Sequence, residues 1–132
     1  MKLRVTVAMF CLCFATSFGQ TSAVEKYDAE LKANPNASLA RFRIAEIEFQ
    51  HCNYQGAANG FAKALAGDLQ PKWTEVWSRI YLGKIFDATG QRERAVREYT
   101  MAQQTNDDTR GALEEAAIYL AYPYPGKMEP VQ

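Results

Sequence analysis

Residues 82–102 read LGKIFDATGQRERAVREYTMA, and this stretch decides the fold. It divides at Gly90. Ahead of the glycine, Leu82-Gly83 and Phe86 lie one helical turn apart. After it, Ala95, Tyr99 and Ala102 fall at i, i+4 and i+7, a single stripe on a helix. Gly90 suits the left-handed position just beyond a helix end. Gly83 has no side chain, so another backbone can come close to it. The stretch predicts two helices joined by a tight turn and crossing at Gly83.

Outward from this hairpin the pattern recurs. Ala57, Phe61, Ala64 and Ala45 each precede Ala95, Tyr99, Ala102 and Gly83 by 38 residues. Ala23 and Tyr27 precede Ala57 and Phe61 by 34. Asn53 is placed to cap a helix starting at Tyr54. Pro35 ends one helix and Pro123 another, while Pro71 is acceptable in a first turn. The expected helices span 22–33, 37–51, 54–66, 71–88, 91–104 and 109–121. No segment alternates with the period of a strand. The predicted fold is all-α: an α–α superhelix of about six antiparallel helices over 20–122, followed by an extended Pro-rich tail, 123–132. A plain antiparallel bundle is the alternative arrangement.

The repeated unit resembles the tetratricopeptide repeat, a helix–turn–helix motif of 34 residues. Leu82-Gly83, Phe86, Gly90, Ala95, Tyr99 and Ala102 carry the resemblance in the second unit. The first unit departs from it with Ala45 for the glycine, Glu48 for an aromatic residue and Cys52 for the turn glycine. Four extra residues fall near 68–73. The likeness covers about residues 23–122, two units and a half. It implies a concave face lined by the first helix of each unit. Leu39, Phe42, Glu46, Phe49 and Gln50 would stand there from one unit, and Trp73, Trp77, Ile80, Lys84 and Asp87 from the next. Phe42, Glu46, Phe49, Trp73, Trp77 and Lys84 are the candidate partner-binding residues. Some tetratricopeptide proteins clamp a C-terminal carboxylate with Lys, Asn and Arg on these helices; here the matching positions hold Phe42, Glu46 and Tyr81. Trp is enriched at binding hot spots. The alternative role of Trp73 and Trp77 is to seal the widened junction.

Composition sets the function classes. The 132 residues carry 15 Lys+Arg and 15 Asp+Glu, so a basic nucleic-acid footprint is not expected. A hydrophobic fraction of 48% argues against disorder. Lys2 and Arg4 precede an uncharged apolar run, Val5 to Ala15. That run is shorter than the ~20 residues a spanning helix needs and fits a secretory leader. Small residues at Ser17 and Gly19 place cleavage before Gln20; Ala23 offers a second position before Val24, and an uncleaved anchor is the alternative. Residues 1–19 are expected to be a signal peptide. The mature chain is expected to be periplasmic or secreted, with no stable membrane insertion.

Cys52 is then the one remaining cysteine, expected to be a buried small residue rather than a site of pairing between chains. His51 stands alone, too few ligands for zinc and no partner for a catalytic triad. Leu82-Gly83-Lys84 lacks the upstream glycine of a phosphate loop. Arg92, Arg94 and Arg97, interleaved with Glu93 and Glu98, read as a solvated outer face. No enzyme activity, cofactor or metal is expected. The expected function is a protein-binding module whose partner is a protein or peptide segment. The alternative is a small-ligand-binding accessory protein.

Overall fold

The structure is a computed structural model that describes residues 17–126. Of the expected leader, 1–19, all but the last three residues lie outside the described residues, as does the end of the tail, 127–132. Six α-helices follow one another: α1 Ser17–Ala33, α2 Ser38–Gln50, α3 Tyr54–Leu65, α4 Trp73–Ala88, α5 Arg92–Gln104 and α6 Ala112–Ala121. A 3-10 turn, Thr109–Gly111, leads into α6. There is no strand among the described residues. Each helix packs on the next, and α4 also touches α2 and α6. This is an α–α superhelix of antiparallel hairpins, with α2, α4 and α6 side by side along one face.

The repeated stripes are the core. Ala57, Phe61, Ala64, Ala95, Tyr99 and Ala102 are all completely buried. Each hairpin closes at a residue without bulk. In the second, an added Cβ on Gly83 would lie 2.6 and 2.7 Å from Cζ and Cδ1 of Tyr99. In the first, Gly60 lies against Ala45, whose Cβ would be 2.7 Å from one added to the glycine. The small residue has changed helices, but the close approach is the same.

Local signals place the helix ends. The Asn53 Oδ1 accepts the Gly56 N–H at 3.1 Å, which caps α3. The Asn53 amide also donates to Glu48, giving that glutamate a partner at the position where an aromatic residue was the pattern. Gly90 has φ +75°. Cys52, 38 residues earlier, has φ +59° and is exposed. This corrects the expectation of a buried cysteine: the left-handed turn position points its side chain away from the bundle.

Only α3 starts where expected: α1 begins five residues early, at Ser17, α6 three residues late, at Ala112, and the starts of α2 and α4 show what sets them. The α2 N-terminus is capped from a distance. Asp68, in the loop after α3, accepts the Ser38 N–H at 3.1 Å and the Gln70 N–H at 3.0 Å. Those bonds hold its carboxyl below the ordinary 3.8. Ser38 is itself buried and donates to the Ala64 carbonyl at 2.7 Å. In α4, Pro71 stands ahead of the helix instead of in its first turn. Its carbonyl accepts the Thr74 N–H at 2.9 Å and the Thr74 hydroxyl at 2.8 Å, so the helix begins at Trp73.

Candidate functional site

The shared face of α2, α4 and α6 is paved with aromatic rings. Phe42 packs edge-on against Phe61 and Trp73, both at 5.3 Å, and against Tyr81 at 5.8 Å. Tyr81 stacks on Phe61 at 4.8 Å, almost parallel. Trp73, Trp77 and Tyr81 recur at intervals of four along α4, so one helix face supplies all three rings.

Phe42, Glu46, Trp73, Trp77, Tyr81 and Arg110 line an open cavity of about 180 Å³. Four of the six candidate residues therefore share one pocket. Trp73 and Trp77 form its half-buried walls. Phe42 is only 2% exposed and forms its floor, so it is a core residue first and not a freely accessible contact. The pocket's charges are mostly matched. Glu46 pairs with Arg43 at 2.7 Å and accepts the Tyr81 hydroxyl at 3.3 Å. Arg43 lies 5.4 Å from the Trp73 ring centre and Arg110 lies 5.2 Å from it. Trp77 Nε1 donates to the Thr109 carbonyl at 3.0 Å, which ties α4 to the loop before α6.

Phe49 and Lys84 stand farther along the same face, in its other half. Phe49 meets Tyr81 at 5.1 Å. Lys84, a candidate contact on the groove, is largely covered. Its side chain is only 12% exposed, ion-paired to Glu115 on α6. Its Nζ lies 5.1, 5.3 and 5.5 Å from the rings of Tyr81, Tyr119 and Tyr124. Such cation–π contacts strengthen as water is excluded.

The start of the tail closes this half. Instead of extending away, it turns back so that the Tyr124 N–H donates to Asp87 Oδ2 at 2.8 Å. The Tyr124 ring reaches Tyr119 at 5.3 Å and Phe49 at 6.2 Å. One tail residue thus touches α2, α4 and α6. Asp87 and Ile80, placed on the groove by spacing, are core instead: the Asp87 side chain is 1% exposed and Ile80 is fully buried. Arg92 also departs from the expected outer face. It turns inward to Asp87 at 3.0 Å and to the Leu120 carbonyl at 2.8 Å.

Burial pushes the hydroxyls of Tyr81 and Tyr99 above the ordinary 10.0, Glu46 adding to the effect at Tyr81 and Asp87 at Tyr99. Tyr119 and Tyr124 shift the same way, chiefly through burial. A raised folded-state value leaves stability intact below the unfolded value and removes it as pH rises through the folded one. The urea midpoint should therefore hold at about pH 8 and fall by about pH 11, and Tyr99→Phe should show a shallower fall.

Sequence spacing missed Arg110, Glu115, Tyr119 and Tyr124. The first lies in a loop, the next two on the half repeat and the last in the tail, where no periodicity marks a partner. Among the described residues no cluster of three or more His, Cys, Asp or Glu is placed to hold a metal ion. Nor is any helix there long and apolar enough to cross a membrane. Comparison with protein-family models, curated proteins and solved structures finds no match to this chain.

Proposed function

We propose that the chain is an exported, non-catalytic interaction module of tetratricopeptide type, holding a segment of another protein on its concave face. The observation that carries this reading is the pocket between α2 and α4. Two tryptophans stand half-buried there beside a solvent-open cavity, and none of the described tail residues lines it. Large rigid rings around a side-chain-sized hollow suit an anchor residue of a partner. The volume of this aromatic pocket weighs against a small ligand there. About 180 Å³ falls below the ~300–1,000 Å³ usual for ligand pockets.

The test is partner affinity measured beside thermal midpoint. The partner is first recovered with the mature protein from its native envelope fraction, where N-terminal sequencing should begin at Gln20. Trp77→Ala is expected to weaken binding by about 30-fold, the loss of a ~2 kcal/mol hot spot, with a clearly folded protein. Arg94→Ala is the control. It lines a larger hollow of about 440 Å³ on the opposite face, between α3 and α5. Weakening by Arg94→Ala alone would move the site to that face. Cooperative unfolding of Trp77→Ala would make the tryptophan a junction seal.

A further inference from the structure

The pocket's one unmatched charge lies on Arg110. Glu46 is taken by Arg43 and Tyr81. Asp107 accepts the Thr109 N–H at 2.9 Å and Asp108 the Leu113 N–H at 3.0 Å, so both nearby carboxylates face their own loop. Among the described residues no carboxylate forms an ion pair with Arg110. Its guanidinium nevertheless stands at the pocket rim, 5.2 Å from the centre of the Trp73 ring.

The backbone holds it there. Arg110 has φ 58° and ψ 33°, a left-handed conformation uncommon in residues other than glycine. The bond from Trp77 to the Thr109 carbonyl fixes the preceding residue, and Gly111 follows with φ +72°. Local strain of this sort persists where its surroundings over-determine it, often at binding sites. Farther along the face, Tyr124 already lies in the groove between two prolines. The chain's own tail thus gives an example of an extended aromatic segment seated on these helices.

We infer that the partner segment is extended and acidic at one position: an apolar side chain enters the Trp73–Trp77 pocket while a neighbouring Asp or Glu side chain pairs with Arg110. This rests on the groove reading above. The wet rim would supply register and selectivity, and the rings the affinity. The reader of charge is then a loop residue, not a residue of the inner helices.

The experiment is selection of random displayed peptides on the full chain, followed by titration of the selected peptides as synthetic probes. Wild type is expected to enrich Asp or Glu within about two positions of an aromatic or aliphatic residue, the reach of one extended segment. Arg110→Gln should bind those peptides roughly three- to tenfold more weakly with an unchanged thermal midpoint, since the side chain is exposed. Arg110→Glu should recover binding when the peptide acid is changed to Lys. Peptides that need Trp77 but ignore Arg110→Gln would overturn this inference and leave the groove reading standing. Failure to enrich any peptide, or enrichment of peptides indifferent to Trp77→Ala, would overturn both.

Discussion

Gly83→Leu should cost the protein a large share of its folding stability. A single added carbon at residue 83 already clashes with the Tyr99 ring, 2.6 Å from Cζ, and leucine adds three more. Neither side can yield cheaply. Tyr99 is completely buried, and its hydroxyl donates to Asp87 at 2.9 Å, so a ring shift also strains a buried hydrogen bond. Overpacking costs ~1–3 kcal/mol typically and more on occasion, and these features place Gly83→Leu at about 3 kcal/mol or above. That is a large share of the ~5–15 kcal/mol available to a domain. Gly83→Ala should destabilise by less, in the same direction. Arg97→Ala, on an exposed position, should stay within ~0.5 kcal/mol. Lys84→Ala should fall between, because its contacts to Glu115 and three rings are lost. Urea unfolding of the four variants gives the ranking. A Gly83→Leu midpoint equal to that of Arg97→Ala would place the helix crossing elsewhere.

Asp87→Ala should destabilise nearly as much, by a different mechanism. Its carboxylate accepts from Arg92 at 3.0 Å, from the Tyr99 hydroxyl at 2.9 Å and from the Tyr124 N–H at 2.8 Å. Removing it orphans a buried hydroxyl, frees the tail and leaves the guanidinium without its ion partner. Breaking a fully buried pair costs ~3–5 kcal/mol, and each orphaned donor ~1–3 kcal/mol. Arg92 keeps 34% of its side chain in solvent, so roughly 2–4 kcal/mol is expected. Asp87→Asn keeps an acceptor in place and should lose less. Hydrogen exchange at the Tyr124 amide supplies a second reading. It should accelerate in Asp87→Ala beyond the change from global unfolding. An amide as protected as in the native chain would mean that the tail is held by its rings alone.

These two residues mark how far the chain could be read without coordinates. Gly83 was legible because its reason is local and periodic. A missing side chain one helical turn from Phe86, repeated at Ala45, signals a close crossing wherever helices pair. Asp87 was misplaced because helical spacing puts it beside Lys84, on the groove. Its real surroundings come from Tyr99, twelve residues on, and Tyr124, thirty-seven on. Trp73 and Trp77 were legible as neighbours on one face, but their pocket needed Phe42 from α2 and Arg110 from beyond α5. Arg92 looked like one of three equivalent outward arginines until Asp87 and the Leu120 carbonyl drew it inward.

By itself the sequence determined that the described chain is helical and where its turns fall. Each depends on residues within a few positions: an i, i+4, i+7 stripe, a capping asparagine, a glycine free to take positive φ. The tertiary structure alone decided that Asp68 caps α2 from the following loop, that Lys84 lies among tyrosines, and that the start of the tail, at Tyr124, lies across one end of the groove. Those outcomes turn on charges and hydrogen-bond donors that had to find partners once water was excluded. Which partner lies within reach depends on where three separate helices bring their ends together.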